Sequence, residues 1–277
     1  MIPDFSIIVV HYLDEEGLAG CLKSVRRAQT AASCEVLVVD NGSDRVRWRQ
    51  IESRFPEARI LASGGNAGFS QAANRAMSEA RAPLLVLLDQ RAQLAPAALS
   101  ELKKFFAQAP DEVGIVGGRL LGARGKPLAS AGPFPNLASY LCRLALPAPL
   151  RLCYLWNGRG RGARRVDWSA KAFLAIRREA YERVGPLDES FLMHYQDLEW
   201  CRRARRQGWR TVSFPGAQAS LSGDVNRRPT QWLEMESCLS LLRYFHKHRG
   251  AWEYHLLHRL TRIFFAYRGW RFPHCRF

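Results

Sequence analysis

Three short apolar runs constrain the fold of this chain more than any other feature. They read SIIVV at residues 6–10, VLVV at 36–39 and LLVLL at 84–88, and polar residues follow soon after each. A continuous apolar run of this length is typical of a parallel strand that is buried on both faces of a sheet. The second and third runs end directly in a carboxylate, Asp40 and Asp89. The pattern predicts a sheet with acidic side chains at the ends of its strands.

Helical periodicity separates these strands. Leu18 and Leu22 recur at helical spacing after the first run, and a weaker run, ARILAS, leads through a glycine-rich turn into the helical segment FSQAANRAMSEA. Strands that alternate with helices at this spacing predict a largely parallel, doubly wound sheet. Ligands of such sheets bind beyond the carboxyl ends of the strands, where Asp40, Asn66 and Asp89 fall.

Beyond this region the pattern changes twice. Residues 120–165 are rich in Pro, Gly and Arg, and their segment RLCYLWNGRGRGARR holds five arginines and no acid. A loop of this length in a compact domain is typically functional or disordered. Strand and helix patterns resume over 166–217, and the final segment reads as helices broken near Gly250. We therefore predict one domain over residues 1–223 and a basic amphipathic helical extension over 224–277.

The net charge favours a polyanionic partner. The chain has 41 Lys and Arg against 25 Asp and Glu, a formal charge of +16. Nucleic acid, an anionic membrane surface and a phosphorylated substrate all meet this description. The basic residues are spread between the 151–165 loop and the C-terminus, without an RNA-binding aromatic motif. We therefore expect no nucleic-acid partner, although a nucleic-acid-binding protein is the alternative that charge alone suggests.

Cysteine usage and hydropathy bear on the compartment. The seven cysteines are scattered without a CxxC pair, which argues against a disulfide framework or a zinc ribbon and suits a reducing cytosol. No apolar run is long enough for a signal peptide or a membrane span. We expect a cytoplasmic protein with peripheral contact to the anionic inner face of the cell membrane. A helical face of the extension fits an interfacial role: Trp252, Leu256, Leu260, Ile263 or Phe264, and Tyr267. Packing of that face on the domain explains the same pattern.

Five sequence blocks carry a family resemblance. They are SIIVVHYLDEEGLAGCLKSV, EVLVVDNGSDR, GGNAGFSQAANRAM, LLVLLDQRAQL and VDWSAKAFLAIRREAYERVGPLDESFLMHYQDLEWCRRARRQGWRTVSFPGA, which together cover most of residues 5–223. In order and spacing they resemble the family 2 glycosyltransferases. The third and fifth blocks are similar to the rhamnosyltransferase-like branch, which builds cell-surface polysaccharides. The resemblance implies an α/β, GT-A (nucleotide-diphospho-sugar transferase) fold, with a mostly parallel central sheet flanked by helices and a C-terminal helical extension.

The same resemblance implies an activity. It is inverting transfer of a sugar, rhamnose in that branch, from a nucleotide-diphospho-sugar donor to a lipid-linked or polysaccharide acceptor. Asp197 matches the general base that deprotonates the acceptor hydroxyl, and Asp40 matches the contact to the nucleotide base. Without the resemblance, acids at Asp197 and Glu199 fit a helix N-terminus, and the turn at 41–43 fits a helix cap.

Further site residues follow from the matching blocks. Glycines let the backbone approach a ligand closely, and amide side chains can hydrogen-bond sugar or phosphate oxygens. The predicted donor-binding residues are His11, Tyr12, Asp40, Asn41, Gly65, Asn66, Phe69, Asn74, Asp89, Arg91 and Lys171, and the predicted acceptor or sugar pocket contains Trp168 and Glu199.

Arg91 departs from the family pattern. In metal-dependent relatives the matching residue is an Asp that binds the divalent cation, and a His matching Leu221 supplies a further ligand. An Asp with a divalent ion contributes one positive charge, and so does an arginine, which can also hold phosphate bidentately. Lys171, where the family usually has a small residue, adds a second cation. We therefore expect no metal cofactor. The alternatives are a site that binds nucleotide without catalysis, and an arginine that only pairs with Asp89.

Overall fold

The computed structural model of the chain describes residues 2–29, 32–42, 45–139, 160, 162–222 and 230–270. The strands are β1 (Phe5–His11), β2 (Cys34–Asp40), β3 (Ala58–Ala62), β4 (Leu84–Asp89), β5 (Ala92–Leu94), β6 (Val113–Leu121), β7 (Ala131–Gly132), β8 (Arg164–Val166), β9 (Trp168–Ser169), β10 (Phe173–Arg177) and β11 (Arg210–Leu221). The helices are α1 (Glu15–Ala28), α2 (Arg45–Arg54), α3 (Phe69–Glu79), α4 (Ala98–Gln108), α5 (Arg178–Val184), α6 (Gln196–Arg206), α7 (Gln231–His248) and α8 (Ala251–Tyr267).

One mixed sheet organises these elements. Its strand order is β3-β2-β1-β4-β10-β6-β11-β5, with β8 also paired to β11. The strands β1 to β4 pair in parallel, and so do β6 and β11, whereas β10 runs antiparallel to both β4 and β6. The predicted mostly parallel sheet flanked by helices is confirmed. The chain leaves β1 toward β2 on one side and reaches β4 on the other, so the order reverses at β1, where a ligand crevice is expected.

The two faces of the sheet carry separate hydrophobic layers. Leu18 of α1 and Leu99 of α4 pack on one face, where Val38 of the sheet is fully buried. The other face is covered by α3, α5 and α6, with Trp200 among its largest buried side chains. Both layers exclude water from the sheet, which fixes the strand ends relative to each other.

The C-terminal helices belong to the second layer. Leu242 and Phe245 of α7 and Leu257 of α8 are fully buried in it. The helices are separated at Gly250, as the sequence predicts. The predicted boundary between residues 1–223 and 224–277 falls in 223–229, outside the described residues. The described part of the extension therefore packs directly on the sheet domain.

A glycine pair in β6 permits close packing beside the site. Gly117 lies against Ser169 of β9, and Gly118 lies against the ring of Phe173 at the start of β10. A side chain at either position would occupy space that its neighbour fills. These glycines therefore let β9 and β10, which flank Lys171 in the chain, pass close to β6.

We expect Gly118→Ala to lower the free energy of unfolding by about 1–3 kcal/mol, because its methyl group would overlap the buried Phe173 ring. Urea denaturation followed by circular dichroism measures this loss. Gly162→Ala is the matched control, since a Cβ there meets no described atom within 4 Å. Equal destabilisation in both variants would contradict the packing described for β6.

Candidate active site

Three strand ends align at one edge of the sheet. In the parallel register His11 lies opposite Asp40, and Val10 lies opposite Asp89. The carboxyl ends of β1, β2 and β4 therefore bring one imidazole and two carboxylates together. These are the positions at which the apolar runs of the sequence meet polar residues.

His11 is buried behind this edge. Only 1% of the residue is exposed, and its ring meets Trp48 edge-on, with 5.0 Å between ring centroids. Burial lowers the pKa of the imidazole below its ordinary value of 6.5. His11 is therefore neutral at physiological pH, and it contributes shape and hydrogen bonding rather than charge.

Gln90 is a site residue that sequence reasoning missed. Its side chain accepts from the backbone N–H of Tyr12 at 2.9 Å and donates to the Tyr12 carbonyl oxygen at 3.1 Å. This pair of bonds fixes the loop after β1, while the Tyr12 side chain remains exposed. Its place in the sequence, between Asp89 and Arg91, could have identified it as a site residue.

Asn41 holds the glycine-rich loop after β3. Its amide nitrogen donates to Oδ1 of Asn66 at 3.2 Å, and its amide oxygen accepts from the backbone N–H of Ala67 at 2.9 Å. Gly65 in this loop has a φ of +145°, in the region that favours glycine, and a Cβ there would meet no described atom within 4 Å. Asn41 thus positions a loop whose backbone is open to a ligand.

Arg91 stands at the carboxyl edge beside Asp89. Its backbone N–H donates to Oδ1 of Asp89 at 2.8 Å, and Nε of its guanidinium lies 3.5 Å from the same oxygen. The arginine side chain is 45% exposed. Gly17 of α1 leaves room for its stem, because a Cβ there would lie 2.9 Å from Cγ of Arg91. The ion pair with Asp89 is present, but it is long and leaves the guanidinium accessible.

The two positions at which the family resemblance implies metal ligands in metal-dependent relatives lie side by side. Leu221 pairs with Ala92, and the backbone N–H of Ser222 donates to the carbonyl oxygen of Arg91 at 3.0 Å. Neither a guanidinium nor an isobutyl group offers a donor atom to a hard divalent cation. In the part of the chain that the structure describes, no group of three or more His, Cys, Asp or Glu side chains is arranged to hold a metal ion. Of Asp89, Arg91 and Leu221, Asp89 alone has a side chain that can ligate a divalent cation.

Asp197 is the second residue of α6 and is 9% exposed. Its Oδ2 accepts from the backbone N–H of Lys171 at 2.8 Å, and its Oδ1 accepts from the backbone N–H of Leu198 at 2.9 Å. The preceding Tyr195 has a left-handed φ of 69°, an uncommon conformation for a tyrosine. Strained backbone next to an oriented carboxylate is typical of a functional site.

Lys171 spans the region between α3 and α6. Its ammonium donates to the carbonyl oxygen of Met193 at 2.9 Å and lies 4.6 Å from the centroid of the Phe69 ring. A cation over an aromatic face at this distance is attracted by the ring. Lys171 therefore contacts the start of α3 through its side chain and Asp197 through its backbone.

Two backbone bonds join this region to the carboxyl edge. The N–H of Asp89 donates to the carbonyl oxygen of Ala172 at 3.0 Å, and the N–H of Phe69 donates to that of Leu192 at 3.1 Å. The first bond places Asp89 next to the Lys171–Ala172 segment. The second ties the end of the glycine-rich loop to the segment that leads into α6. The structure thus brings Phe69, Asp89, Lys171 and Asp197 into one neighbourhood.

Glu199 lies on a different face of α6 from Asp197. Two residues along a helix correspond to a rotation of about 200°, so their side chains diverge. Glu199 is 2% exposed, its carboxylate accepts from Nε of Arg203 at 3.0 Å, and it lies 3.1 Å from Nε2 of His248. The prediction of Glu199 in an acceptor pocket is not supported by this geometry, because the carboxylate is enclosed beneath α7.

Asn74 and Trp168 also have structural partners. The Asn74 amide donates to the Leu187 carbonyl oxygen at 2.8 Å and to Glu189 at 3.0 Å, while its oxygen accepts from the Leu187 N–H at 2.8 Å. These bonds occupy the amide, so the geometry assigns Asn74 to holding the 187–189 loop rather than to direct donor contact. The indole N–H of Trp168 donates to the Pro133 carbonyl oxygen at 2.9 Å.

We expect Asn74→Ala to lower the free energy of unfolding by about 1–3 kcal/mol, because it leaves the backbone N–H and carbonyl of Leu187 buried without partners. Gln71→Ala is the matched control, since Gln71 is an exposed amide on the same helix as Asn74. Chemical denaturation measures both. If Asn74→Ala keeps wild-type stability and loses only donor affinity, the donor-contact prediction is right and this structural role is wrong.

Comparison with solved structures defines the class of fold. The chain is similar to a mannosyltransferase from Pyrobaculum calidifontis in complex with GDP-Man and Mn2+, with a TM-score of 0.59, 17% identity and coverage of 89% of this chain and 64% of that one. It is also similar to GalNAc-T7 with UDP, GalNAc and Mn2+, with a TM-score of 0.62, 13% identity and coverage of 88% and 48%. At these identities the likeness establishes the fold alone, which is GT-A.

Sequence comparison then gives the family. The profile described as glycosyl transferase family 2 matches residues 6–145, about half of the chain. The low-salt glycan biosynthesis hexosyltransferase of Haloferax volcanii is 27% identical over 211 residues, which are 75% of this chain but only 63% of that protein. The N-acetylglucosaminyl-diphospho-decaprenol L-rhamnosyltransferase of Mycobacterium tuberculosis is 24% identical over 264 residues, or 89% and 85% of the two chains. The chain belongs to glycosyl transferase family 2, in its rhamnosyltransferase-like branch.

Proposed function

We propose that this glycosyltransferase is an inverting enzyme that moves a sugar from a nucleotide-diphosphate donor to a lipid-linked or polysaccharide acceptor. The observation that carries the proposal is the Asp197 carboxylate, buried, held by two backbone N–H groups and joined through Lys171 and Ala172 to the carboxyl edge of the sheet. Similarity to the mycobacterial L-rhamnosyltransferase supports rhamnose as the sugar, and we propose a thymidine diphosphate donor for it. The same similarity supports an acceptor carried on a lipid diphosphate.

In this proposal Asp197 acts as the general base. Its carboxylate takes the proton of the acceptor hydroxyl as that oxygen attacks the anomeric carbon. The bond from the anomeric carbon to the diphosphate breaks on the opposite face of the sugar, and its electron pair leaves with the nucleoside diphosphate. Attack opposite the leaving group inverts the configuration. The backbone bonds from Lys171 and Leu198 hold the carboxylate in one orientation during transfer.

Donor binding is assigned to the carboxyl edge. Asp40 accepts from the nucleotide base or ribose, and the open backbone around Gly65 approaches the donor. Tyr12 lies at the exposed end of the same edge, and neutral His11 supports it from behind. The exposed guanidinium of Arg91 is the cation best placed to receive the diphosphate.

Arg91 takes the electrostatic role that a divalent ion has in metal-dependent relatives. Stabilising a departing diphosphate is mainly electrostatic work, and two unit charges 4 Å apart interact by about 4 kcal/mol at an effective dielectric of 20. An arginine can also hold two phosphate oxygens at once. Because Arg91 and Leu221 replace metal ligands, we propose that transfer requires no metal.

A second candidate function is nucleotide binding without catalysis. The observation that favours it is the ion pair between Arg91 and Asp89.

We expect Asp197→Asn to reduce transfer by about 10²–10⁴-fold, because the amide cannot accept the acceptor proton, while donor affinity stays near wild type. Asp40→Ala is the matched carboxylate variant and should do the reverse, weakening donor binding. Radiolabelled sugar transfer and calorimetric donor titration separate the two effects. Retained turnover in Asp197→Asn would remove Asp197 from its role. Donor binding without turnover in the wild type would favour the non-catalytic candidate.

We expect activity to survive EDTA, and Arg91→Ala to lose at least about tenfold in transfer, because a charge-assisted contact to the diphosphate is removed. Arg59→Ala, which removes an exposed arginine near the amino end of β3, is the control and should be neutral. Loss of wild-type activity in EDTA with recovery on adding manganese would contradict the proposal.

Peripheral membrane contact is proposed for α8. The helix buries one stripe, including Leu257 and Phe265, against the domain, and on another it exposes Trp252, Ile263 and Tyr267 at 67%, 65% and 87%. Leu260 and Phe264, predicted for the apolar face, are only partly exposed. No helix among the described residues is long and apolar enough to span a membrane. The exposed stripe, in a segment with ten Lys and Arg against four Asp and Glu, supports binding to an anionic cytoplasmic surface.

We expect Trp252→Ser with Ile263→Ser to reduce flotation with anionic liposomes, because both substitutions remove apolar area that would enter the interface. Ile2→Ser, which changes an apolar residue that is 75% exposed at the amino end of β1, is the control. Point variants are preferable to truncation, since α7 and α8 complete the second core layer. Equal flotation of all variants, or no preference for anionic over neutral lipid, would contradict membrane contact through this helix.

A further inference from the structure

A basic cavity lies at the far end of the helix that carries Asp197. It has a volume of about 510 Å³, and its lining includes Arg202, Arg205 and Arg206 of α6, Arg249 after α7, Phe134 and Asp167. We refer to these six residues as the arginine pocket. At 1.5 Å per residue, its α6 members lie about 8–14 Å from Asp197 along the helix axis, so the pocket is separate from the predicted donor site.

The charges of the arginine pocket are not balanced. Asp167 is engaged on both oxygens, pairing with Arg205 and accepting from the backbone N–H of Phe134 at 3.0 Å. Arg249 pairs with Glu253 at 2.7 Å. Within the described ranges, Arg202 and Arg206 have no carboxylate partner. Two positive charges thus remain available to a ligand.

The Phe134 ring also restricts the orientation of two arginine side chains in the pocket. The guanidinium of Arg202 lies 4.9 Å from the centroid of the Phe134 ring, and that of Arg205 lies 5.7 Å from the same ring. Stacking on an aromatic ring reduces the rotamer freedom of an arginine and keeps its N–H groups available for a planar contact. An arginine that only stabilises the C-terminal end of a helix dipole does not need an aromatic ring to stack on.

Tyr244 supplies an independent observation. The residue is fully buried, and its hydroxyl has no hydrogen-bond partner within the part of the chain described. The charges of four residues that line the pocket act on this hydroxyl: those of Arg202, Arg249, Arg206 and Asp167. Burial raises the pKa of this hydroxyl to about 12, so it stays protonated and can donate. Nε of Arg249 is a second buried donor without an acceptor.

We propose that the arginine pocket binds a phosphate or diphosphate group. Phosphate oxygens accept charge-assisted bonds from the Arg202 and Arg206 guanidiniums, and a further oxygen satisfies the Tyr244 hydroxyl. The group belongs either to a lipid diphosphate headgroup or to a soluble anion, which share this chemistry. The site extends beyond the proposed transfer reaction, since no catalytic step depends on it.

Calorimetric titration of the full chain with inorganic pyrophosphate tests the site. We expect Arg202→Gln with Arg206→Gln to weaken binding at least about tenfold, as charge-assisted hydrogen bonds are lost. Arg27→Gln with Arg210→Gln gives the same net charge and should bind as the wild type does. Because pyrophosphate can also enter near Arg91, the titrations are repeated in the Arg91→Ala background. Equal affinity of the two double variants would overturn the proposal.

Tyr244→Phe separates binding from a structural role. We expect it to weaken pyrophosphate binding severalfold without lowering stability, because it removes only an unsatisfied hydroxyl. Unchanged affinity would contradict the assigned contact.

Phosphatidylcholine vesicles with and without a polyprenyl diphosphate then show whether the bound phosphate group comes from a lipid or from a soluble anion. If the protein binds vesicles only when they contain the polyprenyl diphosphate, and pyrophosphate competes with this binding, the ligand is a lipid headgroup. If the protein binds pyrophosphate but neither kind of vesicle, the ligand is a soluble anion. These readouts need no turnover, so they remain informative if the transferase proposal fails.

Discussion

The parallel pairing of β1 with β2 and β4 is the constraint on which the rest of the structure depends. Its register places His11, Asp40 and Asp89 at one edge, and the strand order reverses at β1, where ligands of such sheets bind. Both faces of these strands are covered by helices, so the edge cannot shift without exposing a core layer. The strands that carry these side chains are therefore fixed by burial on both faces of the sheet.

The second half of the site depends on a different kind of contact. Asp197 is positioned by backbone N–H groups, one of which comes from Lys171, and the Asp89 N–H links that segment to the edge of the sheet. Backbone donors have little freedom to move, which suits a carboxylate that must face one hydroxyl. Arg91 is held through its backbone by Asp89 and Ser222, while its guanidinium stays accessible. The proposed base and the proposed diphosphate contact are thus both held through backbone hydrogen bonds.

Much of this arrangement could be predicted from the sequence. The apolar runs that end in Asp40 and Asp89 report strand burial directly, and the glycines before Phe69 indicate an open loop. Other features depend on partners distant in the chain. Asn74 bonds to a loop 113 residues away, and nothing near it distinguishes that role from a ligand contact.

The position of Glu199 illustrates a second limit. The sequence indicates a helix start at Asp197 and Glu199, but the enclosure of Glu199 depends on α7, whose His248 lies 49 residues further along the chain. The antiparallel course of β10 likewise follows from its place between β4 and β6, which no local pattern encodes. Sequence patterns therefore predicted the strand ends well and the facing of individual polar side chains poorly.

The central claim is that Arg91 stands where related enzymes hold a metal ion. A crystal structure of the protein with a nucleoside diphosphate, grown with manganese present, tests it most directly. The account predicts the Arg91 guanidinium within hydrogen-bonding distance of the diphosphate, with no anomalous manganese signal between Asp89 and the phosphates. A manganese ion bridging Asp89 and the diphosphate, with Arg91 turned away, would contradict it.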